Sequence, residues 1–282
     1  MTSKGKLFLF FLTVSFIFTA DLQAAPLKIA ATILPVSDMV REIAGEGTQV
    51  ITLLPPGANP HTFELSPQMI KELNGSAVIF RIGAAFDDWI AGISENLPNV
   101  RLVLLNQNIQ LINQDPHYWV SVRNAKAIVE QIAKTLTEID SANGEKYQNN
   151  LKRYLAELDQ TDLKITGQLK SLATKEMITF HDGWRYFARD YGLVILDTIE
   201  TSEGQEPTPK RLMRLQKVIR EHNIRVLFIE PALPRSLVES IAQEFRLTLV
   251  PLDPLGAEKE NRKFIDLMTN NSRRISEALS NV

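Results

Sequence analysis

The sequence predicts an α/β protein of two lobes, each with a four-stranded, mostly parallel sheet flanked by helices. Three observations predict this fold class. Short continuous apolar runs, typical of strands that a parallel sheet buries on both faces, fall into two groups of four. Helix signals lie between the runs. Residues 121–172, which separate the two groups, contain no strand candidate.

The apolar runs place the strands along the chain. The first group predicts strands at residues 27–32, 49–54, 77–82 and 101–105. The second group predicts strands at residues 176–180, 193–197, 225–230 and 247–252. Between the runs, Ser66-Pro67 and Thr208-Pro209 each put a capping hydroxyl before a first-turn proline, and Gly192 is placed to end a helix. Strands and helices therefore alternate in both halves.

The segment between the two groups has a helical pattern of its own. From residue 145 to residue 172, one helical stripe contains Tyr147, Leu151, Tyr154, Leu158, Ile165, Leu169 and Leu172. A single helix of this extent would be roughly 42 Å long and would run the length of both lobes. A helical hairpin packed on one lobe is the alternative. The predicted division is an N-terminal lobe at 25–141, a linking helix at 142–173 and a C-terminal lobe at 174–282.

The amino terminus has the features of a secretory signal peptide. Lys4 and Lys6 precede an apolar segment at residues 7–20, and small residues follow at the expected cleavage site after Ala24. The segment is too short for a membrane span. The chain contains no cysteine, so disulfides, thiolate metal ligands and a lipid-bearing cysteine are all excluded. We expect residues 1–24 to be removed and the mature protein to be periplasmic and not lipid-anchored.

Composition limits the partners. Hydrophobic residues make up 44% of the chain and charged residues 23%, as in ordinary globular proteins, and the formal net charge is −2. Neither nucleic acid nor an anionic membrane is favoured as a partner by this charge. We expect a monomer that binds no nucleic acid.

Four side chains with metal-binding chemistry come just after predicted strands. They are His61, His117, His181 and Asp253. In open α/β sheets, ligands bind outside the carboxyl ends of the strands, so a cleft between the lobes is the one place where two donors from each lobe can meet. Imidazoles with a carboxylate suit a borderline divalent metal, and four donors match the tetrahedral shell of Zn²⁺. The sequence therefore predicts a metal site, with zinc as the metal.

Each of these residues also has an ordinary structural interpretation. A single loop histidine is more often a surface or capping residue than a ligand. Against this, His61 and His117 each follow a proline, which fixes the preceding backbone. Asp253 could cap a turn, and Glu230, at another strand end, competes with it for the carboxylate role. The fourth histidine, His222, lies in a polar helix end and is predicted to be solvated.

Four segments of the chain resemble the ligand motifs of a known family. They are residues 58–67, 115–119, 180–187 and 252–256. Their motifs are similar to those of the cluster A-I solute-binding proteins, the zinc and manganese receptors of ABC importers of the ZnuA/TroA type. The resemblance implies two α/β lobes bridged by one long helix, with the metal between them. It also implies metal ligation by His61, His117, His181 and Asp253, and delivery of the metal to a membrane permease.

The resemblance also bears on the choice of metal. Members that carry manganese or iron commonly have a carboxylate at the third ligand position, whereas this chain has His181, and nitrogen-rich ligation suits Zn²⁺ better than Mn²⁺. Three-histidine members can also bind manganese, so a manganese receptor remains the alternative. The loop at 106–114 is short and lacks the His- and Asp-rich insertion of many zinc receptors. Asn59 stands where an acidic residue is frequent in the family.

An exported zinc hydrolase is the rival from another class. It would need an open coordination position and a general base, for which Glu64 or Glu230 is available. The chain has neither a paired H-E-x-x-H motif nor a G-x-S-x-G elbow, and no glycine-rich phosphate loop. We therefore expect a receptor that is not an enzyme and that captures metal for an ABC-type permease. An adhesin or a metal buffer on the same fold is the third possibility.

Overall fold

The structure is a computed structural model that describes residues 26–60, 62–95, 97, 99–200, 207–231 and 235–280. The predicted signal peptide at residues 1–24 and the predicted ligand His61 lie outside the described residues. None of the helices in the described ranges has the length and apolar character needed to cross a bilayer.

Two parallel sheets of four strands form the framework of the described chain. The N-terminal sheet contains β1 (Leu27–Ala31), β2 (Thr48–Thr52), β3 (Val78–Arg81) and β4 (Arg101–Leu104). The C-terminal sheet contains β5 (Glu176–Thr179), β6 (Val194–Thr198), β7 (Val226–Ile229) and β8 (Thr248–Pro251). The strand orders are β2-β1-β3-β4 and β6-β5-β7-β8. All eight predicted strands are confirmed, with ends within two residues of the expected ones.

Helices cover these sheets. They are α1 (Leu34–Ala44), α2 (Pro67–Leu73), α3 (Val122–Ile139), α4 (Gly144–Lys170), α5 (Arg185–Tyr191), α6 (Pro209–Glu221), α7 (Arg235–Phe245) and α8 (Phe264–Ser280). The predicted caps are present, because the side chains of Ser66 and Thr208 accept the backbone N–H groups of Met69 and Arg211. Gly192 ends α5 in the left-handed conformation, with φ of 69°.

The linking segment is one continuous helix, which confirms the first of the two interpretations. Helix α4 has 27 residues, and its buried face includes Tyr147, Leu158 and Leu169. At 1.5 Å per residue its length is about 40 Å. It packs against α1 and α3 of the N-terminal lobe and against α5 and α8 of the C-terminal lobe. The helix therefore joins the two lobes along their length.

The two lobes share a core. The largest cluster of buried hydrophobic side chains includes Phe80 of the N-terminal sheet and Phe228 of the C-terminal sheet, together with residues of α4 and α8. Helix α8 also contacts the N-terminal lobe by a hydrogen bond, because the backbone N–H of Phe264 donates to the carboxylate of Asp38 in α1 at 2.8 Å. Apolar burial across the lobe boundary opposes a wide separation of the lobes.

Candidate metal centre

His117 lies between β4 and α3 and is almost completely buried. Its Nδ1 is 2.7 Å from Oδ1 of Asp115, and the same oxygen accepts the backbone N–H of His117 at 2.9 Å. The ring packs against Phe86 and Trp119, with centroid distances of 5.8 and 5.1 Å. Aromatic packing and two hydrogen bonds to one carboxylate oxygen thus fix the orientation of this imidazole.

A residue of the opposite lobe holds the turn that carries Asp115. The backbone at Asn113 and Gln114 is left-handed, with φ of 50° and 62°, a conformation unfavourable for residues other than glycine. The hydroxyl of Tyr186, in α5, forms hydrogen bonds to the backbone on both sides of these two residues. It accepts the N–H of Ile112 at 2.9 Å and donates to the carbonyl of Asp115 at 2.7 Å. The C-terminal lobe therefore supports the backbone that positions His117.

His181 follows β5, and Glu230 follows the neighbouring strand β7. The register pairs Thr179 with Phe228, so the two side chains emerge at the same level beyond the sheet. Nδ1 of His181 is 3.0 Å from Oε1 of Glu230. In the order β6-β5-β7-β8, chain connections diverge between β5 and β7, which is where ligands bind in open α/β sheets.

The two described histidines meet across the lobe boundary. Their ring centroids are 4.7 Å apart, with the rings nearly perpendicular. Gly183 lies against both rings, since a Cβ at this position would be 3.1 Å from Cε1 and Nδ1 of His181 and 3.4 Å from Cδ2 of His117. Because Gly183 has no Cβ, its backbone approaches the imidazoles closely without displacing them.

Asp253 is completely buried just after β8, and its carboxylate organises the following loop. One oxygen accepts the backbone N–H groups of Leu255, Gly256 and Ala257, and the other accepts those of Glu258 and the side chain of Asn261. A carboxylate has about four lone-pair positions for accepting hydrogen bonds, so these five donors occupy all of them. Asp253 thus caps the turn, and binding a metal would require it to exchange one of these hydrogen bonds.

The loop of Asp253 is joined to the loop of His117. The indole N–H of Trp119 donates to the carbonyl of Pro254 at 2.9 Å. This bond connects the opposite lobes two residues after His117 and one residue after Asp253. Within the described residues, which exclude His61, no three side chains of His, Cys, Asp or Glu are grouped so that they could hold a metal ion.

The residues on either side of His61 are anchored by Trp89, in the 3-10 helix Asp88–Glu95. Its indole N–H donates to the carbonyl of Pro60 at 3.0 Å, and its ring meets that of Phe63 edge to face at 4.9 Å. No local pattern in the sequence connects Trp89 with Pro60 and Phe63, so its role is visible only in the structure. The role of Asp115 was not predicted, although the spacing Asp-Pro-His in the sequence was a signal for it.

The fourth histidine, His222, is exposed, as expected from its place in a polar helix end, and it also contacts a carboxylate. Nδ1 of His222 lies 3.0 Å from Oε2 of Glu176, at the amino end of β5. This end of the sheet is opposite to the one that carries His181. His222 and Glu176 therefore repeat the contact between His181 and Glu230 at a location remote from the candidate metal centre.

The environment of His181 changes its proton affinity. Burial lowers the pKa of this imidazole, but the hydrogen bond and charge of Glu230, with the charges of two further carboxylates, outweigh burial and raise the pKa above its ordinary value. The same carboxylates favour any positive charge in this region, including that of a metal ion.

Comparison with known protein families gives one match over almost the whole described chain. The family model described as ZnuA, zinc-uptake complex component A periplasmic, matches residues 29–278. Among individual proteins, the high-affinity zinc uptake system protein ZnuA of Bacillus subtilis is 25% identical, with 93% of this chain and 90% of that protein covered. The manganese-binding lipoprotein MntA of Halalkalibacterium halodurans is also 25% identical, with coverages of 87% and 86%.

The fold is shared with solved structures. A crystal structure of ZnuA superposes with a TM-score of 0.83 at 31% sequence identity, and the match covers 90% of this chain and 99% of the other. The two lobes and the long helix are therefore a known arrangement.

Proposed function

Because the chain belongs to the ZnuA family of periplasmic zinc-uptake components, we propose that it captures Zn²⁺ and delivers it to an ABC-type membrane permease for import. At the level of the family, the protein is a metal-binding solute receptor of an ABC transporter. Such receptors are not enzymes. This confirms the expectation that the protein is not an enzyme and removes the exported zinc hydrolase as an alternative. Transport energy must come from the partner, and the receptor supplies selection and capture.

One observation carries the proposal for the binding site. His117 and His181 come from different lobes, their rings are in contact, and Nδ1 of each ring lies on a carboxylate. Imidazoles that ligate metals typically bond a carboxylate or carbonyl through the other ring nitrogen. We assign His61, His117 and His181 as ligands, with His61 brought from the motif that Trp89 anchors.

Asp253 is the proposed fourth donor. Its five hydrogen bonds mean that ligation would require one loop N–H group to leave the carboxylate as the metal arrives. The Asp253→Asn variant tests this role against the structural one. If Asp253 only organises its loop, the variant should be less stable without metal, and zinc should stabilise it as much as it stabilises the wild type. If Asp253 is a ligand, the zinc-induced shift of the unfolding temperature should shrink as well.

Zinc is proposed over manganese on the chemistry of the donors. Three imidazoles are a softer donor set than the carboxylate-rich shells that suit Mn²⁺. The names of relatives point both ways, since one is a zinc uptake protein and another binds manganese. A manganese receptor of the same fold is therefore the second candidate, and competition between the two metals discriminates them.

The proposed location is the periplasm. Removal of residues 1–24 would leave a chain without cysteine, and hence without the residue that carries the lipid in lipoproteins. We also propose that the mature protein is a monomer. Intact mass of the exported chain tests cleavage and lipidation, because an added acyl group or a retained signal peptide changes the mass. Light scattering of the native protein tests the monomer.

The decisive experiment is elemental analysis of the mature protein purified without added metal. We expect one zinc per chain in the wild type and its loss in the His181→Ala variant. The His222→Ala variant is the matched control, because His222 makes the same type of carboxylate contact at the opposite end of the sheet. It should retain the metal. Stoichiometric manganese in the wild type would overturn the assignment of zinc.

A further inference from the structure

Glu230 could take either of two roles near His181. It could itself bind the metal, or it could hold the imidazole that does. We propose that Glu230 is a positioning residue, which keeps the proton of His181 on Nδ1 and leaves the lone pair of Nε2 for the metal. This inference rests on the proposed metal-binding function and specifies which atom of the ligand is used.

The first support is the way the fold places the two side chains. The parallel register pairs Thr179 of β5 with Phe228 of β7, and the backbone N–H of Phe180 donates to the carbonyl of Phe228 at 2.7 Å. His181 and Glu230 each follow two residues after the paired residues. The contact is therefore set by the sheet, and it does not depend on the chance position of a flexible surface side chain.

The second support is burial. Only 13% of the His181 side chain and 15% of the Glu230 side chain are exposed. Water competes weakly for a hydrogen bond in such surroundings, and a bond to a charged acceptor is stronger than a neutral one. The 3.0 Å contact between Nδ1 and Oε1 is thus expected to persist in solution.

The third support is the chemistry of the pair. An ionised carboxylate accepts hydrogen bonds and cannot donate them, so Nδ1 must carry the proton. In the neutral imidazole the remaining nitrogen, Nε2, then has the lone pair that a metal requires. This hydrogen bond uses one of about four accepting positions of the Glu230 carboxylate, so the affinity of Glu230 variants must separate the positioning role from direct ligation.

The N-terminal lobe contains the same arrangement in a different form. Asp115 accepts from both Nδ1 and the backbone N–H of His117, only two residues along the chain. One carboxylate is local and the other comes from a neighbouring strand, yet both engage Nδ1. The two histidines that meet at the lobe boundary would therefore both use Nε2.

The test separates a positioning role from direct ligation and from a purely structural one. Nitrogen NMR of the metal-free protein reports which ring nitrogen of each histidine carries the proton. We expect Nδ1–H for His181 in the wild type and a mixture of tautomers in Glu230→Ala. Zinc affinity, measured by competition with a chelator, should fall about 10- to 100-fold in Glu230→Ala. In Glu230→Gln the amide oxygen can still accept the hydrogen bond from Nδ1 of His181. This variant should therefore recover part of the Nδ1–H population and part of the zinc affinity.

The control is Glu176→Ala, which removes the 3.0 Å partner of His222 and should leave zinc affinity unchanged. An Nε2–H tautomer at His181 in the wild type would overturn the inference, as would unchanged affinity in Glu230→Ala. A loss as complete as that of His181→Ala would instead identify Glu230 as a ligand. If no variant and no wild-type protein binds metal, the proposed function fails, while the NMR result still decides the role of Glu230.

Discussion

The imidazole rings of His117 and His181 lie 4.7 Å apart between their centroids, although the two residues belong to different lobes and different sheets. The backbone of Gly183 occupies the space beside both rings. Contact between these lobes therefore brings together side chains that neither half of the chain could bring together alone.

The closeness of Gly183 to both rings predicts the effect of a single methyl group. In Gly183→Ala the new Cβ would be 3.1 Å from the His181 ring, so the imidazole must move by a few tenths of an ångström. We expect zinc affinity to fall about 10-fold, as when an orienting partner of a ligand is lost. Gly167→Ala in α4, where a Cβ meets no atom within 4 Å, is the control and should bind zinc normally. Equal affinity in both variants would contradict this account.

The hydroxyl of Tyr186 supports the left-handed turn before Asp115. Tyr186→Phe removes hydrogen bonds to Ile112 and Asp115, and we expect a loss of about 1–3 kcal/mol in the free energy of unfolding, with weaker zinc binding. Denaturant unfolding and chelator competition measure the two effects. Tyr154→Phe is the control, since the buried Tyr154 hydroxyl has no hydrogen-bond partner in the described structure. A stable Tyr186→Phe variant with normal affinity would show that the turn needs no such support.

Acid should release the metal. Protons compete with zinc for the imidazoles, and the pKa of His181 in the metal-free protein is raised above its ordinary value of 6.5. Protonation therefore begins at a higher pH than for an unperturbed histidine, and affinity should start to fall as the pH is lowered through neutrality. Zinc affinity measured at a series of pH values provides the check, and a profile that is flat down to about pH 4.5 would exclude histidine ligation.

The buried Asp38 predicts a separate pH effect on stability. Burial raises its pKa from 3.8 to about 6, despite the hydrogen bond from Phe264. The folded state therefore favours the protonated carboxyl of Asp38. Its contribution to stability is fully present below pH 3.8, the pKa in the unfolded chain, and is lost as the pH rises through about 6, the pKa in the folded protein. At neutral pH the carboxylate therefore destabilises the fold by about 3 kcal/mol. Asp38→Asn keeps an acceptor for Phe264 and should raise the neutral-pH unfolding temperature.

The same variant should flatten the dependence of stability on pH between the two pKa values. Thermal unfolding of metal-free protein across this range measures the slope. Asp266→Asn, which changes an exposed carboxylate in the first turn of α8, is the control and should keep the wild-type slope. A slope that is the same in Asp38→Asn and the wild type would mean that Asp38 does not titrate in this range.

The connections between the lobes predict a small conformational change on metal binding. The shared core, helix α4 and the bond from Trp119 to Pro254 all oppose a wide rotation. Scattering profiles of the metal-free and zinc-loaded protein should therefore differ only slightly. A large change in the radius of gyration would require these interlobe contacts to break.

Much of the fold follows from patterns that are local in sequence. Continuous apolar runs predicted eight strands, and the spacing from Tyr147 to Leu169 predicted the helix that proved to be α4. Ligand chemistry is also a property of residue type, so His117 and His181 could be selected before any contact was known. The position of each after a strand predicted that they would meet, because parallel strands present their carboxyl ends at one edge.

Tertiary structure alone decided which partners these side chains have. Glu230 contacts His181 and Glu176 contacts His222, in each case from a distant part of the chain. These contacts depend on strand register and lobe packing, which no single stretch of sequence specifies. The sequence by itself determined the elements and the donor types. The packed chain determined which donors are committed to other bonds, because that depends on distances between residues remote in sequence.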